Sequence, residues 1–307
     1  MSVNEYYSNG KLLLTGEYLV LEGALALALP LKLGQSMKVR YLNDNFGILH
    51  WNTYVQDQLW FQATFGVENI EIITATDRRK AYYIRNILVH AAKLVNEPLN
   101  GKQSKIIETY LDFSPELGLG SSSSLISNLA YWLNIDPFKL FRDIFEGSAY
   151  DIACARAKGP IFYQLSKGQY TATQVNYNPS FGECLYFVYL GKKANSPASI
   201  QQNKDKIELH KEKSCAISAL TQNIINAASL EEFEHLITEH ETIMSEVLGT
   251  PPVKTQFFSD FPGAIKSLGA WGGDFILATS KKTRISVEAY FRTKGLNIMF
   301  GYHEIVL

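Results

Sequence analysis

Residues 115–124 read Pro-Glu-Leu-Gly-Leu-Gly-Ser-Ser-Ser-Ser, and apolar residues at helical spacing follow them directly. The stretch before them, 106–113, is rich in Ile, Thr, Tyr and Phe and favours a strand. A strand, a glycine-rich turn and a helix start bring bare backbone N–H groups to the positive end of a helix dipole. Gly118 and Gly120 allow the turn and the close approach of a ligand. This segment therefore predicts a phosphate site.

The same segment also has a simpler interpretation. Serine is ordinary at the start of a helix, and most turns of glycine and serine bind nothing. The segment lacks the Gly-Lys-Ser/Thr ending of the common phosphate-binding loop. It also does not match Gly-x-Ser-x-Gly, so a hydrolase nucleophile finds no support. Taken alone, the segment leaves both interpretations open.

The composition is that of an ordinary globular protein with a sizeable core, because 46% of the 307 residues are hydrophobic and 19% are charged. A formal net charge of −1 argues against nucleic acid and anionic membranes as partners. Cys154, Cys184 and Cys215 are widely spaced and are expected to be reduced. The N-terminus lacks the pattern of a signal peptide, and the longest apolar stretch, 24–33, is too short to span a bilayer. We therefore expect a cytoplasmic protein.

The apolar pattern predicts a strand-rich first half and a more helical second half. The expected strands are 11–14, 25–29, 37–42, 47–54, 59–64, 70–73, 106–113, 184–190, 275–279, 298–306 and the hairpin 159–165/170–175. The expected helices are 79–95, 122–133, 137–145, 203–227, 230–248, 255–268 and 284–292. A boundary between two lobes is expected near residue 180.

Three further segments combine glycines with residues that can do chemistry. Residues 8–23 read Ser-Asn-Gly-Lys-Leu-Leu-Leu-Thr-Gly-Glu-Tyr-Leu-Val-Leu-Glu-Gly. Residues 147–155 read Gly-Ser-Ala-Tyr-Asp-Ile-Ala-Cys-Ala, and residues 266–278 read Lys-Ser-Leu-Gly-Ala-Trp-Gly-Gly-Asp-Phe-Ile-Leu-Ala. In their order along the chain, these segments and 115–124 resemble the GHMP kinases, the family of galactokinase, homoserine kinase, mevalonate kinase and phosphomevalonate kinase. The resemblance spans nearly the whole chain.

The resemblance implies an α/β fold, more narrowly α+β, with two lobes. Residues 1–180 would form a mixed-sheet N-terminal lobe with the phosphate loop, and residues 181–307 a ferredoxin-like α+β C-terminal lobe. ATP and Mg²⁺ are the implied cofactors, and the substrate is a small molecule that meets ATP between the lobes. A homodimer is compatible with this picture.

The resemblance also implies roles for individual residues. Lys11 and Asp151 match the catalytic positions, and Ser122 matches the serine that ligates Mg²⁺. Glu146 is the candidate for the carboxylate ligand of the metal, with Asp143 as the alternative. The implied nucleotide-binding residues are Gly118, Leu119, Gly120, Ser121, Ser122, Ser123, Gly269, Gly272 and Gly273.

Lys11 and Asp151 have physical arguments of their own. A lysine followed by three leucines is unfavourable to bury unless it meets an anion, although a lysine at the mouth of a strand usually keeps its ammonium in water. Asp151, among apolar neighbours, could act as the base that takes the proton of a substrate alcohol. It could instead orient that alcohol, or simply cap its own helix.

Some positions depart from the pattern of the family. Asn9 replaces a proline, a change that should be tolerated, and Ala149 replaces a glycine. Glu116 brings a carboxylate near the phosphate loop and is expected to point away from it. Trp271 occupies a position that is normally glycine and could narrow the approach to the substrate. None of these changes removes Lys11, Asp151 or the Gly-Leu-Gly-Ser-Ser core of the loop.

The acceptor substrate is predicted less sharply than the reaction. The sequence of residues 10–23 resembles phosphomevalonate kinases more than mevalonate kinases, and so does Asp274 at the end of the late glycine run. This resemblance favours phosphomevalonate over mevalonate as the acceptor. Lys192, Lys193 and Ser196 could bind its phosphate, or form an exposed loop. The alternatives are a homoserine or sugar kinase, a diphosphomevalonate decarboxylase, and a sensor that has lost catalysis.

Histidine pairs give no support for a structural metal site. His235 and His240 are five positions apart and lie on different faces of their helix. Glu239 and Glu241 beside them suit a solvated helix surface. The cluster Arg78-Arg79-Lys80 likewise suits the solvated start of a helix.

Overall fold

A computed structural model describes residues 3–95, 102–192, 196–271 and 273–307. The strands are β1 (Val3–Leu13), β2 (Ala26–Tyr41), β3 (Ile48–Val55), β4 (Gln58–Gly66), β5 (Ile72–Ala75), β6 (Lys105–Leu111), β7 (Ile161–Ser166), β8 (Gln169–Gln174), β9 (Leu185–Tyr189), β10 (Ile265–Leu268), β11 (Phe275–Thr279) and β12 (Met299–Gly301). The α-helices are α1 (Arg78–Ala92), α2 (Ser121–Leu133), α3 (Pro137–Arg142), α4 (Tyr150–Arg156), α5 (Ser196–Leu209), α6 (Lys213–Asn226), α7 (Leu230–Leu248), α8 (Val253–Phe257), α9 (Arg284–Thr293) and α10 (Tyr302–Ile305). Within the described residues, no helix has both the length and the apolar character needed to cross a bilayer.

The chain forms two compact units, and each of them is discontinuous in sequence. Unit 1 comprises Met1–Gly10, Leu33–Pro115 and Leu119–Arg156. Unit 2 comprises Lys11–Lys32, Glu116–Gly118 and Ala157–Leu307. Both units therefore take residues from β1, from β2 and from the glycine-rich turn. The lobes expected at 1–180 and 181–307 stay a prediction.

Unit 1 contains a mixed sheet covered by helices. Its strands are ordered β5-β4-β3-β6-β2, with β3 and β6 parallel and the other neighbours antiparallel. The core contains Trp51 and Phe65 from the sheet, Ile84 from α1 and Ile126 from α2, all buried. The helical spacing of the apolar residues in α1 and α2 places one face of each against the strands. The mixed sheet with a helix after the glycine turn confirms the expected α+β class.

Unit 2 contains a hairpin and a second sheet. The β7–β8 hairpin is the one expected from sequence, and β7 pairs with the first residues of β2. The second sheet is antiparallel, in the order β10-β11-β9-β12. Its core packs Val188 and Ile276 of the sheet against Val287 and Phe291 of α9. An antiparallel sheet with helices on it again agrees with α+β.

β2 joins two strands that were expected separately, and Pro30 lies within it. Proline lacks the N–H that a central strand must donate to its neighbour. Residues 26–28 of β2 pair with β7, and residues 35–41 pair with β6, so Pro30 lies between the two paired stretches. The strand therefore continues without the loss of a bond in either ladder.

Three predictions of secondary structure are wrong. The helix expected at 255–268 is the short helix α8 followed by the strand β10, because Gly263 packs directly against the backbone of Thr279 and turns the chain into the sheet. The helix expected at 203–227 is split into α5 and α6. The strand expected at 298–306 ends at Gly301, where the Glu304 carboxylate accepts a bond from the Gly301 N–H at 2.6 Å and starts α10.

Candidate active site

The first turn of α2 presents backbone donors without a capping side chain. Its N-cap is Gly120, with φ of +99°, and a glycine cannot supply the hydroxyl or carboxylate that usually caps a helix. Gly118, with φ of +71°, shapes the turn before it. α2 is long enough at 13 residues to have a substantial dipole. This helix start can therefore hold an anion, as the sequence predicts.

The four serines of the loop have different environments. The hydroxyl of Ser123 donates to the Gly120 carbonyl at 2.9 Å, and that of Ser124 donates to Gln35 Oε1 at 2.9 Å. Ser121 and Ser122 instead line a cavity, and Ser122 is exposed. The first two serines therefore border the cavity, while the hydroxyls of the next two are engaged within the protein.

A buried polar network fixes α2 in unit 1. Ser8 on β1 donates to Asn128 Oδ1 at 2.8 Å, and Asn128 Nδ2 donates to the Gln35 carbonyl at 2.8 Å. Ser8 and Asn128 have no exposed surface. Because unpaired buried polar groups are destabilising, these bonds specify the position of α2 on the sheet.

The cavity beside the loop lies entirely in unit 1 and has a volume of about 310 Å³. Its walls include Trp60 from β4, Lys80 and Tyr83 from α1, and Ser121 and Ser122 from α2. The Lys80 Nζ lies 3.9 Å from the centre of the Trp60 ring, in a cation–π contact. Aromatic walls, lysine and hydroxyl groups beside a helix start suit a flat ring that carries an anionic tail.

The start of α1 is correctly predicted, but its basic cluster is not simply a solvated surface. The Asp77 carboxylate caps α1 by accepting from the N–H groups of Arg79 and Lys80. This cap fixes the first turn of α1, and both Arg79 and Lys80 line the cavity. The sequence signal was present in Arg78-Arg79-Lys80, but the cavity that it faces is formed by residues from other elements.

Tyr83 lines the cavity together with Ser122. The Ser122 hydroxyl and the Asp151 carboxylate are both near enough to influence the pKa of its phenol. The residue is 36% exposed, but its hydroxyl end is desolvated. This desolvation, together with the negative charge of Asp151, raises the pKa of Tyr83 to about 12. Sequence reasoning missed Tyr83, since nothing in the pattern of α1 distinguishes it.

Asp151 lies in the first turn of α4 and is half-buried. Its Oδ1 accepts from the N–H of Ile152 at 3.1 Å, a local contact that agrees with the capping interpretation. The neighbouring Ala149 has φ of +60°, a conformation for which the glycine of the family pattern is better suited. Glu146, the candidate metal ligand, is exposed, as is Asp143. Of these three carboxylates, Asp151 is the one whose charge influences Tyr83 in the wall of the cavity.

In unit 2, Lys11 contacts the glycine-rich turn. Its Nζ donates to the Gly118 carbonyl at 2.9 Å, and the side chain is half-buried. The buried Asp274 lies against the other side of Gly118, because a Cβ at that position would come within 2.6 Å of the Asp274 carboxylate. The ammonium of Lys11 and the carboxylate of Asp274 thus both lie against Gly118. Lys11 belongs to unit 2 and Asp151 to unit 1, and their proximity stays a prediction.

The late glycine segment is described except for Gly272, which lies outside the described residues, as does Lys193. Gly269 has φ of +69° and Gly273 is buried. The Trp271 N–H donates to the Tyr18 hydroxyl at 3.1 Å, a contact with the first of the four sequence segments. Glu116 is exposed, as expected for a carboxylate that must not face the loop.

Behind these segments lies a fully buried charge cluster that the sequence did not indicate. Lys266 pairs with Glu17 and lies 4.0 Å from Glu241, and His240 Nε2 lies 3.4 Å from Glu17. The prediction that Glu241 belongs to a solvated helix surface is therefore wrong, whereas Glu239 is exposed as expected. The available signal was a charge within a mainly apolar stretch, since Lys266 lies close to Ala264, Ile265 and Leu268 in the sequence.

Burial controls the protonation of this cluster. It raises the pKa of Glu241 to about 8, although Lys266 opposes the shift, and it also raises the pKa of Glu17. Burial, aided by Lys266, lowers the pKa of His240 well below its usual range. His240 Nε2 accepts from the Gly16 N–H at 3.2 Å, which agrees with a neutral ring. Glu241 accepts from the Ser267 N–H at 3.0 Å, so α7 binds the backbone of two sequence segments.

The donors in unit 1 fit Mg²⁺ and ATP chemically. Mg²⁺ prefers oxygen ligands, takes few of them from protein and keeps several waters. The exposed Ser122 hydroxyl and the Asp151 carboxylate both influence Tyr83, a residue of the cavity wall. Both groups have oxygen atoms of the kind that Mg²⁺ prefers as ligands. Within the described residues, no group of three or more His, Cys, Asp or Glu side chains could hold a metal by itself. A metal brought by nucleotide phosphates therefore suits the site better than a protein-only cage.

Unit 2 has a larger cavity, of about 650 Å³, between the end of β8 and α10. Its walls include Lys32, Lys158 and His303, and none of its described walls is a residue of the four sequence segments. The smaller cavity in unit 1 is therefore the better candidate site.

No model of a protein family matches the chain, and no curated protein sequence matches it. Solved structures do. Mevalonate kinase of Methanococcus jannaschii is 15% identical, with a TM-score of 0.72 and 97% of each chain covered. Galactokinase of Lactococcus lactis, complexed with galactose, is 13% identical, with a TM-score of 0.71 and coverage of 98% of this chain and 93% of that one. Phosphomevalonate kinase of Streptococcus pneumoniae, in complex with phosphomevalonate and AMPPNP, is 19% identical, with a TM-score of 0.68 and coverage of 98% and 100%. The chain therefore has the fold of the GHMP kinases, as the four sequence segments predict.

Proposed function

We propose that this protein is an ATP-dependent kinase of the GHMP type, which transfers the γ-phosphoryl group of ATP to a hydroxyl or phosphate group of a small molecule. The observation that supports this most directly is in unit 1, where the uncapped first turn of α2 opens beside an aromatic cavity. A helix start of this kind binds phosphates, and a cavity of about 310 Å³ has room for the base of a nucleotide.

Each part of the nucleotide then has a proposed partner. The base occupies the cavity, where Trp60 and Tyr83 supply flat apolar surface and Lys80 supplies positive charge. The phosphates bind the N–H groups of the first turn of α2 and the glycines of the late segment. Mg²⁺, which neutralises charge on the phosphates, is held by Ser122 and a carboxylate, for which Glu146 remains the sequence-based candidate.

Two residues act on the acceptor in this proposal. The acceptor oxygen forms a bond to the γ-phosphorus while the bond from that phosphorus to the bridging oxygen of ADP breaks. Asp151 takes the proton of the acceptor hydroxyl, or orients it for a dissociative transfer. Lys11, whose ammonium already meets the Gly118 carbonyl, stabilises the negative charge that develops on the transferred group.

The acceptor is proposed to be phosphomevalonate or mevalonate, as part of isoprenoid precursor synthesis in the cytoplasm. The similarity of the first and late segments to those of phosphomevalonate kinases supports this choice. The fold neighbours include kinases for mevalonate, phosphomevalonate and galactose, so the fold itself does not select among them.

A coupled assay of ADP release tests the proposal, with Mg²⁺–ATP and mevalonate, phosphomevalonate, homoserine or sugars as acceptors. We expect one of the first two to accelerate ADP release without release of CO₂. Acceleration by a sugar alone would overturn the mevalonate assignment, CO₂ release would indicate a decarboxylase, and a lack of turnover with nucleotide bound would indicate a sensor.

Asp151→Asn tests the role of the carboxylate. General base catalysis contributes about 10²–10⁴-fold, so turnover should fall by a factor in that range while nucleotide affinity changes little. The matched control is Asp57→Asn, which makes the same chemical change at an exposed turn of the same unit. Equal turnover in the Asp151 and Asp57 variants would remove Asp151 from the mechanism.

A further inference from the structure

Three polar side chains of the sheet, Gln35, Thr53 and Thr109, form the floor of the cavity in unit 1. Residues two apart on a strand share one face of a sheet, and so do directly opposite residues on neighbouring strands. Gln35 precedes the core residue Met37 by two positions on β2, and Thr109 on β6 lies opposite Met37. Thr53 on β3 lies opposite Thr109. The core face of the sheet is therefore polar where the cavity borders it.

The Gln35 side chain is held in place, but its amide nitrogen is not used within the protein. The residue is only 2% exposed, and its Oε1 accepts from the Ser124 hydroxyl at 2.9 Å. Among the residues that the structure describes, its Nε2 has no hydrogen-bond partner. The nitrogen is also not sealed from solvent, unlike the unpaired buried atoms elsewhere in the chain. Because Gln35 borders the cavity, this nitrogen can donate into it.

The two threonines leave a second donor at the cavity floor. Thr109 Oγ1 and Thr53 Oγ1 are hydrogen-bonded at 3.0 Å, and Trp51 Nε1 donates to the Thr53 oxygen at 3.0 Å. Two hydroxyls carry two hydrogens, and only one of them joins the pair. The other hydrogen has no acceptor in the described part of the chain. The cavity floor therefore offers hydrogen-bond donors to a ligand.

A donor in so enclosed a place is unfavourable unless something in the cavity accepts from it. The ring nitrogens of a nucleobase are acceptors that lie in the plane of a flat ring. Trp60 and Tyr83 supply the apolar surface for the faces of such a ring, and Ser121 at the start of α2 lies towards the proposed phosphate site. The cavity floor is then left to contact the edge of the ring.

We infer that Gln35 is a specificity-determining residue, whose Nε2 donates a hydrogen bond to a ring nitrogen of the nucleobase bound in the cavity. This inference rests on the proposed function, which places the base there. It goes further by naming the side chain that distinguishes one edge of the base from another.

Calorimetric titration of the full chain with Mg²⁺–ADP tests the inference, together with three ADP analogues that each have CH in place of one ring nitrogen (N1, N3 or N7). We expect one analogue to bind the unchanged protein about tenfold more weakly than ADP, because the amide then lacks its acceptor. Gln35→Met keeps the length of the side chain and removes the amide. It should bind ADP about tenfold more weakly and should bind that analogue as well as it binds ADP.

The fold should tolerate this change, because the Ser124 hydroxyl keeps a second acceptor, the Ser121 carbonyl, at 3.2 Å. Gln58→Met, the same change at an exposed position of β4, is the matched control and should bind all four nucleotides as the unchanged protein does. If Gln35→Met fails to fold, the smaller Gln35→Leu takes its place.

Full affinity for ADP in the Gln35 variant would overturn the inference, as would equal binding of ADP and all three analogues by the unchanged protein. A loss in the variant that adds to the loss of every analogue would also overturn it, because Gln35 would then not act through a ring nitrogen. If the unchanged protein binds none of these nucleotides, the proposed function itself fails, which is a distinguishable result.

Discussion

The Gly118 carbonyl contacts a cation, and a carboxylate fills the space that a Cβ at this position would occupy. Lys11 donates to its oxygen at 2.9 Å, and the Asp274 carboxylate occupies the space that a side chain would need. Its φ of +71° is also unfavourable for any residue with a Cβ. The sequence indicated the turn, but the close approach of Asp274 comes from a segment far away in the chain.

Gly118→Ala should therefore be destabilising through both backbone strain and the contact with Asp274. We expect chemical denaturation to show a loss of about 2–4 kcal/mol, of which about 1–2 kcal/mol is the left-handed backbone. Gly168→Ala is the matched control, because Gly168 has φ of +76° and no atom lies within 4 Å of the point that its Cβ would occupy. Equal losses of stability in the two variants would show that the Asp274 side chain moves away from the added methyl group at no measurable cost in free energy.

Individual residues differ in how far the sequence reveals them. Lys11 was noticeable because its charge directly precedes three leucines, and Asp151 because it follows a glycine and serine pattern. Tyr83 sits in an ordinary amphipathic helix, and Ser122, which lines the same cavity, belongs to a different helix. No local pattern can reveal a contact between two helices.

Helix α7 shows how one element can serve two distant segments. His240 accepts from Gly16 in the first segment, and Glu241 accepts from Ser267 in the last. Both side chains are buried beside the Glu17–Lys266 pair. The helix is therefore anchored by polar contacts as well as by its apolar face, and its stability should depend on pH.

The stability should fall as pH rises toward 8. Glu241 has its pKa raised to about 8 by burial, so the folded protein retains a proton that the unfolded chain has released. Each such proton contributes a slope of up to about 1.4 kcal/mol per pH unit. Glu17 shifts in the same direction. His240, with a lowered pKa, weakens folding only as pH falls below its usual value of 6.5, so it does not oppose the trend above pH 7.

Glu241→Gln isolates this contribution, because glutamine resembles the protonated acid and does not titrate. Urea unfolding between pH 7 and 8 should show a smaller loss of stability with pH in Glu241→Gln than in the unchanged protein. Glu239→Gln, at an exposed position of the same helix, is the control and should leave the slope unaltered. A slope that is the same in all three proteins would contradict the assignment.

Elements with a regular local pattern were predicted well, and those that depend on distant partners were not. α1, α7 and the β7–β8 hairpin lie close to their expected positions, since their apolar spacing and turns are local features. β10 was expected as the end of a helix. Its four buried residues pair with β11, and this pairing overrides the helical pattern of the preceding segment.

For the whole chain, the proposed function predicts stabilisation by nucleotide. A ligand that binds the folded state alone, at a hundred times its dissociation constant, adds about 2.7 kcal/mol of stability. Thermal unfolding should therefore shift upward by several degrees with Mg²⁺–AMPPNP, and less with AMPPNP and a chelator. Mg²⁺ without nucleotide is the control. An unchanged melting temperature under all conditions would contradict nucleotide binding.

The fold could be predicted from sequence although identity to the solved neighbours is low. Four short segments in the right order carried the prediction, and the solved kinases match over nearly the full chain at 13–19% identity. Glycines and phosphate-binding hydroxyls are constrained by backbone geometry and ligand chemistry. The remaining positions have only to fill a core, which many sequences can do.

The amino-acid order alone was enough for the features that arise between chain neighbours, namely the glycine-serine turn, the helix that follows it and most strands and helices. The three-dimensional fold decided which groups are buried, as at His240, Glu241 and Lys266, and which residues line one cavity, as Tyr83 and Ser122 do. Spacing along a chain determines backbone conformation over a few residues. Burial and pairing depend on groups that come together only when remote segments pack.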